Sequence, residues 1–201
     1  MLTKNDAKIT EFLIKNPEGK FSIREISRQI KIDYKLAYNS IKRLIEKKII
    51  NKEKYGKTEL CVINLKSAID YLIEVENIKA RNFLEENIEI KLIIKEIKEK
   101  IKIFYYTLLI FGSYAKRKNH KKSDLDLLII VPEKKFIEEV EIAVNMVSRI
   151  KPMKIHSIVV TAGDFKKMLM SKERLNVAKE VLENHLIFYG VEVYYKLLEV
   201  L

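Results

Sequence analysis

Gly112 and Ser113 end an apolar run that begins at Phe104, and Asp124 and Asp126 stand at the head of a second run, Leu127 to Val131, that closes at Pro132. These residue types suit phosphate and metal chemistry. Gly112 lets the chain turn sharply and lets backbone amides approach a phosphate closely. Ser113 adds a hydroxyl donor to the same cradle. Asp124 and Asp126, two apart on a strand, direct their side chains to one face. Two carboxylates so placed make a hard-oxygen site for Mg²⁺ that would bridge nucleotide phosphates. Between the pairs lies a basic stretch, Lys116-Arg117-Lys118 and Lys121-Lys122.

The elements that must position these groups follow from the apolar pattern. Phe104 to Phe111 reads as a buried strand, followed by the Gly-Ser turn, a helix, and a strand that starts at Asp-x-Asp. Lys154 to Val160 reads as a later strand. The tail reads as helix, with Asn176, Val177, Glu180 and Val181 leading to His185 and the segment up to Gly190, and its tyrosines pack against the sheet. Upstream, residues 66–103 contain neither Pro nor Gly. Leu72, Ile73 and Val75 to Ile78 mark one helix there, and Ile90, Ile93, Ile94, Ile97 and Ile101 a second. Such an apolar stripe serves either packing against the following domain or a homodimer.

The first third has a different grammar. Thr3 caps a helix carrying Ile9, Phe12 and Leu13, which stops at Asn16-Pro17-Glu18-Gly19. Ser22 and Glu25 form a capping box opening a helix with Ile23, Ile26 and Ile30 on one face. Asp33 caps a third helix running to about Lys47, with Ala37, Ile41, Leu44 and Ile45 toward the core. Residues 51–55 and 58–63 are extended and joined by Tyr55-Gly56-Lys57, a hairpin turn. Tyr34 and Tyr38 read as packing residues.

Two resemblances follow. Helix, helix, helix and a basic hairpin resemble a winged helix-turn-helix domain across residues 1–65. That resemblance implies double-stranded DNA as partner, with the helix from Asp33 to Lys47 in the major groove. Lys35 and Lys42 would then meet phosphates, Asn39 and Arg43 base edges, and Lys52, Lys54 and Lys57 of the hairpin the backbone or minor groove. The string GSYAKRKNHKKSDLDLLII, with ten residues between Ser113 and Asp124, resembles the minimal members of the nucleotidyltransferase superfamily that includes DNA polymerase β. The same spacing occurs in small antitoxin enzymes that adenylylate a HEPN-type toxin.

The second resemblance implies an α+β fold with a mixed sheet and flanking helices, and Mg²⁺ (or Mn²⁺) with an NTP, ATP first. Gly112, Ser113 and Lys116 would hold the nucleotide, and Asp124 and Asp126 the metal. The superfamily's third carboxylate lies on a later strand, here Lys154 to Val160, which contains no acid. His156 or Ser157 occupies the expected place. His156 would serve as base or ligand, Asp164 would move in from beyond the strand, or the domain would bind nucleotide without efficient turnover. Lys116-Arg117 stands where many relatives carry Arg-Gly. The expected organisation is a DNA-binding domain over 1–65, a helical connector over 66–87 and a nucleotidyltransferase domain over 88–201. The rival expectations are a regulator without catalysis, whose second domain senses nucleotide or dimerises, and an antitoxin whose second domain adenylylates a HEPN-type toxin.

Composition narrows the class. The 201 residues carry 39 Lys+Arg against 28 Asp+Glu, a net charge of +11. By segment the net charge is +8 over 1–66, −1 over 67–103 and +4 over 104–201. The excess therefore concentrates in the first third, as expected for a polyanion partner or for general lysine enrichment. A hydrophobic content of 48% suffices for packed cores. Five glycines and three prolines exclude a collagenous or low-complexity chain, and the single Cys61 excludes a disulfide framework and a cysteine-based zinc site. No apolar run reaches the ~18 residues of a membrane span, and the start lacks signal-peptide features. A cytoplasmic protein without membrane contact is the expectation.

Overall fold

The computed structural model describes residues 3–56, 58–120, 123–173 and 176–201. Lys57, Lys121 and Lys122, named above, lie outside the described residues. The chain divides into one compact unit ending at Leu72 and another spanning Ile73–Val200.

In the first unit the expected caps set the helices. Helix α1 spans Lys4–Lys15, α2 Ile23–Gln29 and α3 Tyr34–Glu46. Thr3 and Asp6 form one capping box and Ser22 and Glu25 another, while the Asp33 carboxylate accepts from the Lys35 and Leu36 amides. Strands β1 (Ile50–Tyr55) and β2 (Thr58–Ile63) form an antiparallel hairpin, and Phe21 joins it by a bridge to Cys61. Ile9, Leu13, Ile26, Ala37, Ile41 and Leu44 are fully buried. Tyr34 and Tyr38, expected to pack, are instead 51% and 47% exposed. Both lie on the solvent side of α3, whose core-facing stripe is already filled by Ala37, Ile41 and Leu44.

A second difference concerns Arg43. Its guanidinium donates to the buried Asp6 carboxylate at 2.8 Å and to the Ser40 hydroxyl at 2.9 Å. Arg43 is therefore a structural partner of α1 rather than an arginine free for base edges. Burial alone would raise the Asp6 carboxyl, but the bonds from Arg43, Thr3 and Ser40 outweigh it and hold it below the ordinary range. A depressed carboxyl adds stability above its unfolded pKa, and that stability is lost as pH falls through the lower folded value. Arg43→Ala strands a buried charge and is expected to lower unfolding free energy by about 1–2 kcal/mol, read by urea denaturation at pH 7. The difference from wild type is expected to shrink toward pH 3, where Asp6 protonates more readily in the variant. Equal stability at pH 7 would contradict this role.

Helices α4 (Leu65–Glu86) and α5 (Ile88–Lys100) follow. Glu76 on α4 is buried and accepts from Lys79 at 2.9 Å and from the Tyr195 hydroxyl at 3.2 Å.

The second unit is built on a four-stranded sheet in the order β5-β4-β3-β6. Its strands are β3 (Thr107–Ile110), β4 (Leu125–Val131), β5 (Ile155–Thr161) and β6 (Leu186–Tyr189). β4 and β5 run parallel, connected through α7 (Ile137–Ser148), and the other pairs are antiparallel. Leu108 and Ile110 of β3 and Leu125, Leu127, Ile129 and Val131 of β4 share a core with α5 and α7. The opposite face meets α8 (Ala162–Met170) on β4 and β5, and α10 (Val191–Leu198) on β3. Cover on both faces explains why LDLLIIV reads as a continuous apolar run rather than an alternating one.

Two expectations are corrected here. The first strand begins at Thr107, and Phe104 and Tyr105 are 84% and 75% exposed. The tail is not all helical: between α9 (Val177–Glu183) and α10, residues 186–189 form the edge strand β6 against β3. Gly190 ends it at φ +72°, with the Tyr106 carbonyl 2.0 Å from where a Cβ would sit. The tyrosines of the tail do pack as expected, Tyr194 and Tyr195 being fully buried.

Candidate functional site

Antiparallel pairing of β3 with β4 carries the Gly-Ser turn to the head of β4. Ile110 pairs with Leu127, and the Phe111 amide donates to the Asp126 carbonyl at 3.1 Å. Gly112 then turns at φ +66° into the single-turn helix α6 (Gly112–Ala115). A Cβ on Gly112 would stand 2.2 Å from Asp126 Oδ2, so the carboxylate rests in space only glycine leaves open. After α6, Arg117 adopts φ +53°, and the Lys118 amide donates to the Ser113 carbonyl at 2.9 Å. The resemblance anticipates glycine at this left-handed position, where a side chain costs ~1–2 kcal/mol.

Parallel pairing of β4 with β5 supplies the opposing side. Asp126 is the register partner of His156, and His156 Nδ1 lies 3.4 Å from Asp126 Oδ1. Two residues earlier the Lys154 ammonium donates to Asp124 Oδ2 at 2.8 Å. Both aspartates thus face basic groups from the strand that was expected to bring an acid. Burial raises the Asp126 carboxyl above its ordinary range, His156 opposes the rise, and the charges of Glu180 and Asp124 add to it. Bonding to Asp124 raises the Lys154 ammonium.

Asp164 does not reach this site. Parallel pairing sets Thr161 beside Val131, at the far end of the strands from Asp126. Thr161 is five steps along the strand from His156, roughly 16 Å at ~3.3 Å per residue. Asp164 lies beyond Thr161, in the first turn of α8, where it accepts from the Thr161 hydroxyl at 2.7 Å and from Lys167 at 3.2 Å.

A cavity of about 600 Å³ collects Gly112, Lys116, Asp126 and His156 from the expected residues. Asp124 and Ser113 are not in its wall. Lys116 ion-pairs with Glu180 at 2.7 Å, and that bond raises the lysine. Asn176, Lys179 and Glu180, from α9 and its cap, also line it, beside a second acid of α9, Glu183. None of these was expected. Fifty-four positions separate Glu180 from Asp126 in sequence, and no spacing rule links a helix laid over a sheet to a strand beneath it.

Asp124 and Asp126 fit a divalent cation as a partial donor set. Among the described residues no group of three or more His, Cys, Asp or Glu is placed to hold a metal alone. Mg²⁺ is commonly held through one or two carboxylates plus substrate phosphates and water, and the two aspartates beside the Gly112 turn would supply the carboxylate part of that set.

In the first unit, Lys35, Asn39 and Lys42 are exposed on one side of α3. On the hairpin Lys54 is exposed, while Lys52 donates to Glu59 at 2.6 Å.

Residues 89–188 match the family model described as "Nucleotidyltransferase domain". No curated protein and no solved structure matches the chain significantly. The match supports nucleotidyl transfer as the general chemistry of this segment, and the mixed sheet with flanking helices fits that fold. No helix among the described residues is long and apolar enough to cross a membrane.

Proposed function

We propose that residues 88–201 transfer a nucleotidyl group from an NTP to a hydroxyl, and that residues 1–65 are a winged helix-turn-helix domain that binds double-stranded DNA. The first part rests on one observation above the rest: the Asp126 carboxylate lies against Gly112, in a cavity shared with Lys116. Gly112 and Ser113 would place backbone and hydroxyl donors on the terminal phosphates, and Lys116 would add a cation. Asp124 and Asp126 would hold Mg²⁺ or Mn²⁺, which supplies positive charge at the phosphates when bound. His156, facing Asp126, would orient that carboxylate. Alignment of the acceptor hydroxyl with the α-phosphorus, and charge stabilisation by these groups, would provide most of the rate.

The test is incubation of the full chain with labelled ATP, CTP or GTP, Mg²⁺ and cell extract. Label is expected to move from at least one nucleotide to an acceptor. Absence of both label transfer and nucleotide binding would contradict the proposal. A second reading is favoured by Lys154 on Asp124 and His156 on Asp126, since each carboxylate a metal would need already has a side-chain partner. In that reading the second unit senses nucleotide without turnover, and tight binding with no label transfer would establish it.

For DNA, the support is the exposed row Lys35, Asn39 and Lys42 on α3, together with the charge of residues 1–66. Lys35→Ala/Lys42→Ala is expected to weaken duplex binding about tenfold or more at ~0.1 M salt. The slope of log K against log salt should become shallower by about 2, at ~0.9 for each phosphate no longer neutralised. Binding insensitive to both salt and these substitutions would exclude α3 as the reading helix.

A further inference from the structure

Two lysines line the cavity around Asp126, and they differ in how firmly they are held. The Lys179 ammonium is bound by the backbone carbonyls of Ser171, at 2.6 Å, and of Glu173. Lys116 instead meets a side chain, Glu180, across the cavity rim at 2.7 Å, with 35% and 40% of the two side chains exposed. A half-exposed ion pair of this kind is weak and exchangeable. A nucleotide triphosphate brings several negative charges and more acceptor oxygens, so it would displace one carboxylate from Lys116. The freed carboxylate would remain within the same cavity as Asp126. The Asp126 carboxyl already feels Glu180, whose charge helps to raise it.

We propose that Glu180 occupies Lys116 in place of phosphate while the site is empty, and that nucleotide binding releases it to accept the proton of the attacking hydroxyl. This inference rests on nucleotidyl transfer as the activity. In the step, the acceptor oxygen gives its proton to Glu180 and forms a bond to the α-phosphorus. The bond from that phosphorus to the bridging oxygen breaks, and pyrophosphate leaves with the electron pair. Glu180 returns the proton to solvent. The acid absent from β5 is thereby supplied by α9, on the other side of the cavity, and its availability is coupled to occupancy of Lys116.

The two halves of the proposal move different observables. Removing the competing charge with Glu180→Gln is expected to tighten metal-free ATP binding about threefold, measured in EDTA by calorimetry on the full chain, in line with the small worth of an exposed pair. The same variant is expected to slow pyrophosphate release from ATP, with Mg²⁺ and cell extract, by about 10²-fold, as for loss of a general base. In a Lys116→Ala background the tightening should vanish, because the lysine for which Glu180 and phosphate compete is gone. Unchanged turnover in Glu180→Gln, or tightening that persists without Lys116, overturns the inference while wild-type turnover leaves the transfer activity standing. A wild-type chain that neither binds ATP nor releases pyrophosphate overturns both.

Discussion

Asp126→Asn is expected to lower nucleotidyl transfer by about 10²- to 10³-fold, the loss typical when one preorganised electrostatic group is removed from a reacting centre, with the fold as stable as before. The two outcomes separate because of where Asp126 sits. It is the one ionisable residue of β4, on the face opposite the α5 and α7 core, and burial already raises its carboxyl. A raised carboxyl is one whose ionised form the fold disfavours, so an uncharged isostere relieves that penalty while giving up the interaction with His156. Stability measured by urea denaturation should therefore change little, and label transfer should nearly disappear. Equal transfer by wild type and Asp126→Asn would remove this carboxylate from the chemistry.

Gly112→Ala should damage the same site by geometry instead of charge. The left-handed φ of +66° costs a non-glycine residue ~1–2 kcal/mol. The added methyl would also stand 2.2 Å from Asp126 Oδ2 and 3.0 Å from its Cγ. Approaches that short force the carboxylate or the turn to shift, and misplacement of about 1 Å can cost ~10²-fold in rate. The expectation is a variant that folds, with unfolding free energy lower by about 1–3 kcal/mol, and transfers nucleotide at about one hundredth of the wild-type rate. A fully active Gly112→Ala would mean that the close approach of turn and carboxylate is irrelevant to function.

What was legible in the sequence was local. Ser22 with Glu25 and Asp33 at a helix start announce caps because each satisfies amides within three residues. The spacing from Ser113 to Asp124 is readable because β3 and β4 are consecutive and adjacent, so the residues between them form one connection. What the sequence hid depends on partners far along the chain. The aromatics at 104 and 105 look like strand, yet the β3–β4 ladder begins only at Thr107, opposite Ile130, and both side chains stay exposed ahead of it. Leu186 to Tyr189 is too short to declare itself as a strand and becomes one by joining β3. Arg43 looked outward by helical periodicity, but a buried Asp6, 37 residues earlier, claims it. Glu180 belongs to the same class, since only the placement of α9 over the face bearing Asp126 makes it part of the site.

Transfer of the α-phosphoryl group with its nucleoside, and of no other part of the nucleotide, is the central claim. The direct measurement is to incubate the full chain with Mg²⁺ and cell extract, using ATP labelled at either the α- or the γ-phosphate. Label from the α position is expected on an acceptor, with γ label recovered only in pyrophosphate. Transfer of the γ label, or retention of both labels in ATP, would contradict nucleotidyl transfer by this protein.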